Sequence, residues 1–183
     1  DGVAEFDLAT QRFKTLLQGN VDAIYFNEKL YIGKREEVFV YNESTGNFDL
    51  FYHLAGKNIT LSCLHLDKNK NLWMGTTSNG IYCLSEDKSL SQPVTKGNIT
   101  SIYEDSSNEL WIGSWEEGLY RVKTDGNIEN LRHNPMNTNS LCSNFVRSCC
   151  EDNSGDLWIG TFNGLNRYDR ETGKFHLYTA NGN

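Results

Sequence analysis

The sequence predicts an all-β fold assembled from repeated four-stranded antiparallel units, and three observations carry that prediction. One motif occurs three times, as Leu72-Trp73-Met74-Gly75-Thr76, Leu110-Trp111-Ile112-Gly113-Ser114 and Leu157-Trp158-Ile159-Gly160-Thr161, each preceded by an Asp (Asp67, Asp105, Asp152) six residues before its Trp. A degenerate fourth copy, Leu30-Tyr31-Ile32-Gly33, precedes these, and the spacings from Tyr31 through Trp73 and Trp111 to Trp158 are 42, 38 and 47 residues, the span of a four-stranded propeller blade. Within the last unit, runs rich in β-branched and aromatic residues at 145–151, 157–161, 165–168 and 175–178 alternate with turn chemistry. The expected architecture is a partial β-propeller of about four four-stranded antiparallel blades plus a half-blade. Because stacked repeats share a continuous interior, residues 1–183 are read as a single propeller fragment.

Taken in order, Gly2-Val3-Ala4-Glu5-Phe6-Asp7 followed by Phe13 aligns with Gly164-Leu165-Asn166-Arg167-Tyr168-Asp169 followed by Phe175. Residues 1–17 therefore read as the third and fourth strands of a preceding blade, and the natural protein is expected to continue in both directions. Blades follow at 18–57, 58–97, 98–144 and 145–180, with a long connector over 132–144. Between the first two strands of the last blade, Asp152-Asn153-Ser154-Gly155 places Asp where its carboxylate accepts turn N–H groups and Gly where a left-handed residue closes the hairpin. Asn108 suits that closing position almost as well, and Lys70 less so. Ser44-Thr45-Gly46-Asn47 and Glu171-Thr172-Gly173-Lys174 mark the hairpins between third and fourth strands.

The fixed place of Trp73, Trp111 and Trp158 assigns them a structural role, each burying a ring between neighbouring blades. Asp67, Asp105 and Asp152 read as turn formers, since their loops lack the alternating carboxylates of a calcium site. Cys63, Cys83, Cys142, Cys149 and Cys150 show no metal-type pairing, and Cys149 stands where sister repeats have Leu64 and Ile102, a core position. His65 falls on an inner strand without a recurring second ligand, which favours a structural or channel-lining role over metal binding. Asn42, Asn58 and Asn98 head glycosylation-type triplets, a weak signal in an Asn-rich chain. No metal site, cofactor motif or catalytic constellation is present in the sequence. The net charge of -7 and the lack of a basic cluster argue against nucleic acid or anionic membrane as partner, and no run is long and apolar enough to span a bilayer.

Blade geometry places the loops between second and third strands on one face with the connectors to the next blade. Here the units differ: Thr76-Thr77-Ser78-Asn79, Ser114-Trp115-Glu116-Glu117 and Thr161-Phe162-Asn163 occupy equivalent loops. Trp115 belongs to no repeat position, and Phe162 stands at the corresponding place in the next blade. An indole beside hydrogen-bonding groups suits stacking on a sugar ring, while packing against the connector or a partner domain is the competing reading. Trp115, Glu116, Glu117, Phe162, Arg132 and His133 are the candidate ligand-binding residues.

The run 146–152, then Leu157-Trp158-Ile159-Gly160-Thr161, Gly164-Leu165-Asn166-Arg167-Tyr168-Asp169 and Thr172-Gly173-Lys174-Phe175, closely resembles the two-component regulator propeller repeat. So does the approach, Asn137-Thr138-Asn139-Ser140-Leu141. The resemblance extends over nearly the whole chain, strongest from about 59 to 178 and weakest in the first complete blade. Such repeats are typical of periplasmic sensor regions of hybrid two-component systems, in which a sensor histidine kinase is fused to a response regulator. In that family the sensor region usually holds two seven-bladed propellers and a small β-sandwich ahead of a membrane helix, and it detects oligosaccharides released from complex glycans. The resemblance implies a non-catalytic fragment of a periplasmic sensor, with an oligosaccharide ligand, the remaining blades of the parent chain as partners, and phosphotransfer elsewhere. Two alternatives stand beside it: a propeller lyase or glycosidase, given the likeness of the Asp-turn-Trp unit to the Asp box of sialidases, and a protein-docking scaffold. Flat apolar faces at the ends of such an arc predict self-association of the isolated fragment.

Overall fold

In a computed structural model that describes residues 2–55 and 59–179, the chain forms five antiparallel sheets, each a meander in chain order. The first pairs β1 (Gly2–Asp7) with β2 (Arg12–Gln18) and is the half-blade. Next come β3 (Ala23–Asn27), β4 (Lys29–Lys34), β5 (Glu37–Asn42) and β6 (Asn47–His53). A three-stranded sheet follows, with β7 (Leu61–Leu66), β8 (Leu72–Thr76) and β9 (Ile81–Leu84). The last two sheets are β10 (Ile99–Glu104), β11 (Leu110–Ser114), β12 (Leu119–Val122), β13 (Ile128–Leu131), and β14 (Val146–Glu151), β15 (Leu157–Thr161), β16 (Gly164–Asp169), β17 (Lys174–Tyr178). The first strands of successive blades, β3, β7, β10 and β14, adjoin one another in series. The expected boundary between residues 57 and 58, and Asn58 at the head of its triplet, lie outside the described residues.

The blade at 58–97 departs from the four-stranded expectation. Its outer strand is reduced to a bridge between Leu84 and Leu90. Pro93, with no N–H and a fixed φ, stands where a fourth strand would continue. The edge of β9 is satisfied in other ways: Ser91 N–H donates to Cys83 O (2.9 Å), Cys83 N–H donates to Ser91 Oγ (2.9 Å), and Val94 N–H donates to Ile81 O (3.0 Å).

The first hairpin turn of the three motif-bearing blades repeats bond for bond. Asp67, Asp105 and Asp152 each donate N–H to the residue four ahead (3.0 Å), and their carbonyls accept N–H from Lys70, Asn108 and Gly155 (2.9, 2.9 and 3.0 Å). Those three closing residues have φ of 62°, 63° and 84°, so even Lys70 is held left-handed. The motif Gly has a packing cause: a Cβ on Gly113 would lie 2.8 Å from Val146 Cγ1 of the following blade. Only a glycine lets the two sheets approach so closely.

Three apolar clusters lie between blades. Tyr31, Val38, Leu61 and Met74 join the first and second full blades, Trp73, Ile99 and Ile112 the second and third, and Trp111, Val146, Ile159 and Tyr168 the third and fourth. Each buried Trp thus faces the blade that follows it. The half-blade is covered far less: Phe6, Leu8 and Phe13 are 44%, 84% and 76% exposed, and a cleft of about 700 Å³ lined by Val3, Leu16, Ile24, Leu30 and Val40 separates it from the first full blade. Exposed apolar surface of this kind is expected to make the isolated segment self-associate, with mass rising with concentration in sedimentation and falling toward the monomer in a Phe13→Glu variant. A segment that sediments as a monomer throughout would sink this expectation.

Candidate ligand-binding surface

The repeat residues sort themselves out first. The indole Nε1–H of Trp73, Trp111 and Trp158 donates to Oδ2 of Asp67, Asp105 and Asp152 at 2.8, 2.7 and 2.7 Å. The other oxygen of each Asp accepts turn N–H groups, from Asn71 in the first, Ser107 and Glu109 in the second, and Ser154 and Asp156 in the third. Turn and core ring are therefore joined through one carboxylate, a link that the six-residue spacing contained and that the sequence reading treated as two separate roles. Trp73 and Trp111 are buried, whereas Trp158 is only half-buried against Tyr178 at 5.2 Å. It belongs to the last blade of the chain, where no described sheet covers it.

On the face of the variable loops, Trp115 N–H donates to Asn98 O and Phe162 N–H donates to Phe145 O, at 2.9 and 3.0 Å. Thr77 makes the same bond to Thr60 O (2.9 Å), so residues 77, 115 and 162 are equivalent, as are 60, 98 and 145. Phe145 lies between the two candidate aromatics. Its ring is 5.4 Å from Trp115, edge-on at 82°, and 6.3 Å from Phe162, tilted at 56°. Trp115 and Phe145 are half-buried, and Phe162 is 70% exposed. The guanidinium carbon of Arg147 stands 4.6 Å from the Trp115 ring centre, a cation–π contact. A ridge of three rings thus crosses from the third blade to the fourth.

Polar candidates flank the ridge. Arg132 pairs with the Glu117 carboxylate and donates to Glu116 O at 3.2 Å, so these three candidates are joined to one another. Glu116 itself is exposed. His133 is tied into the connector: its N–H donates to Asn144 Oδ1 (2.7 Å) and its ring Nδ1 meets Leu141 O (2.8 Å). The connector is anchored by fully buried Leu141 and by bonds across to the fourth blade, Asn139 O accepting Phe175 N–H at 2.8 Å and Asn166 Oδ1 accepting Cys142 N–H at 3.1 Å. It forms a fixed wall beside the loops. Gly118, at φ 80°, keeps that wall close, since a Cβ there would lie 2.5 Å from Leu131 O.

Two residues of the ridge escaped the sequence reading. The test that singled out Trp115, an aromatic at a position the repeat fills otherwise, also finds Phe145, whose equivalents are Thr60 and Asn98. Arg147 likewise replaces Ser62 and Thr100, whose hydroxyls donate to the carbonyls of Ile99 and Val146 in the next blade at 2.6 and 2.8 Å.

Elsewhere, His65 lies on the innermost strand β7, edge-on to Tyr25 at 5.3 Å and 3.5 Å from a Glu104 carboxylate oxygen, without hydrogen-bond geometry. Its burial lowers the imidazole below its ordinary value and Glu104 opposes that shift. The cysteines are free thiols; burial pushes Cys63 and Cys83 up to about 11 and Cys149 up to about 12, so all three are protonated, inert core residues at neutral pH.

A family model described as two component regulator propeller matches residues 53–78, 93–116 and 140–163. Its last two segments contain Trp115, Phe145, Arg147 and Phe162. Among solved structures the chain is similar to the extracellular domain of a protein assigned as a hybrid two component system of Bacteroides thetaiotaomicron, at 20% identity and a TM-score of 0.71, over 97% of this chain and 31% of that one. It also resembles a virginiamycin B lyase from Staphylococcus aureus (16% identity, TM-score 0.68, 87% of this chain and 55% of that one). A third likeness is to a surface component of the type-IX secretion system of Porphyromonas gingivalis (19%, TM-score 0.68, 92% and 29%). The chain spans about a third of the length of the two extracellular domains it matches first, 31% and 33%. No curated protein matches it. At these identities the structural likeness is one of fold, and that fold is shared by the extracellular domain of a two component system and by an enzyme alike.

Proposed function

We infer that this chain, which carries three two component regulator propeller repeats, is a non-catalytic part of the extracytoplasmic, periplasmic sensor region of a hybrid two-component protein, and that it contributes to recognising an oligosaccharide whose binding is signalled to a cytoplasmic histidine kinase. The observation that carries the ligand half of this reading is the ridge of Trp115, Phe145 and Phe162, three rings in series on the variable face, none at a position the repeat needs for packing. Aromatic faces flanked by the Glu117–Arg132 pair provide apolar area for sugar rings and hydrogen-bonding groups for their hydroxyls. Differential affinity for two arrangements of the sensor region would bias one of them, and that bias is the signal. The remaining blades and sensor domains of the parent chain are its structural partners.

Against the enzymatic alternative stands the chemistry of the surface. Among the described residues the acids of the Trp115 loop are Glu117, engaged with Arg132, and exposed Glu116, which is not a pair of carboxylates held in separated environments. The test is titration calorimetry of the complete sensor ectodomain against a panel of glycan-derived oligosaccharides, repeated with Trp115→Ala. One glycan class is expected to bind, and the variant to lose roughly tenfold or more in affinity. If no sugar binds, while a protein partner is captured in a Trp115-dependent manner, the docking-scaffold reading replaces this one.

A further inference from the structure

Arg147 is out of keeping with every other arginine of the last two full blades. Arg121 pairs with Glu109, Arg132 with Glu117, Arg167 with Asp156 and Arg170 with Asp105. Arg147 is exposed, and among the described residues its side chain has no carboxylate partner and no hydrogen bond; its guanidinium stands over the Trp115 ring. Arg12 and Arg35 of the first two sheets form no carboxylate pair among the described residues either, and what sets Arg147 apart is its place over the Trp115 ring. It also breaks the repeat, standing where Ser62 and Thr100 serve a neutral inter-blade bond.

Its position gives the missing partner a chemistry. Stacking on an indole holds the planar guanidinium in a defined orientation while leaving its N–H edges free, and that fork matches a carboxylate or sulfate in bidentate fashion. The same indole belongs to the ridge, so an anion at Arg147 lies beside the row of Trp115, Phe145 and Phe162. Arg132, the other cation near the ridge, is already neutralised by Glu117.

We propose that the ridge selects an oligosaccharide bearing an oxyanion, a uronate carboxylate or a sulfate ester, and that Arg147 is the residue that reads the charge. The proposal rests on the sugar-binding reading of the ridge. It is tested by calorimetry of the complete sensor ectodomain with two matched pairs of probes. One pair is a short oligogalacturonate and its fully methyl-esterified form; the other is a sulfated oligosaccharide and its desulfated counterpart. The acidic member of one pair is expected to bind at least about tenfold more tightly than its neutral counterpart at low salt, and the pair that shows the difference tells carboxylate from sulfate. Arg147→Gln is expected to bring the ratio of acidic to neutral affinity close to one, and Arg147→Lys to restore part of it, since the charge returns without the fork. Because Arg147 is exposed and its side chain makes no ion pair or hydrogen bond, a circular dichroism spectrum and melting temperature close to those of the unaltered protein are expected for both variants. Neutral sugars binding as tightly as acidic ones, or a preference for acid that survives Arg147→Gln, would overturn the proposal and leave the glycan reading standing. Binding of no sugar at all would overturn both.

Discussion

Replacing Trp111 by Ala is expected to destabilise the fold by about 3–5 kcal/mol, near the upper range for a single aromatic truncation. Trp111 is fully buried in the cluster joining the third and fourth blades, its ring 5.2 Å from that of Tyr168. Its indole also donates to Asp105, whose carboxylate is buried and would lose one of the donors that hold it ionised. Chemical denaturation followed by circular dichroism measures the loss, with Trp158→Ala as the internal comparison. Trp158 makes the same bond to its Asp but is only half-buried, so its truncation is expected to cost about 1–2 kcal/mol. Equal losses at the two sites would show that the motif Trp acts mainly through its turn bond, and the packing argument would fail.

The second large effect is expected at Arg170, which reaches from the last blade to Asp105 of the third at 2.8 Å and to Glu151 at 3.3 Å, and also donates to Gly155 O at 3.1 Å. Both carboxylates are deeply buried, with side-chain exposures of 0% and 8%. Arg170→Met leaves them without their shared cation, and breaking a buried pair in this way costs roughly 3 kcal/mol. The variant should also change the response to acid. Burial alone would raise the Asp105 carboxyl, but the bonds from Trp111, Arg170 and Glu109 N–H together outweigh it and hold the group below the usual carboxylate range. A carboxyl lowered in the folded state contributes stability that is present above its unfolded value, about 3.9, and is lost as pH falls through its folded value. Removing Arg170 takes away a lowering influence while burial remains. The folded value rises, and acid unfolding is expected to begin at a higher pH than in the unaltered protein. Coincident acid-unfolding curves would show that the inter-blade pair does not govern Asp105.

Much of this architecture is legible in the chain because a repeat prints its own alignment. Four strand positions in the last blade fall within a residue or so of those expected, and the turn Asp, the left-handed Asn108 and Gly155, and the hairpins at Gly46 and Gly173 stand where turn chemistry put them. These are local matters, decided by φ preferences and by hydrogen bonds within a few residues. The missing fourth strand of the blade at 58–97 was less visible, because a Pro93 near an edge is compatible with a strand until the partners of Cys83 and Ile81 are known.

The candidate surface divides along the same line. By itself the sequence determined the repeat, its turns and the oddity of Trp115 and Phe162, since each follows from periodicity or from a side chain out of register with it. Only the tertiary structure decided that Phe145 bridges those two rings, that Arg147 covers Trp115 without a carboxylate of its own, and that Glu117 neutralises Arg132 while His133 braces the connector. The physical reason is that such contacts join residues of different blades or opposite ends of a loop. Their geometry depends on how closely one sheet stacks on the next, and no spacing along the chain records that distance.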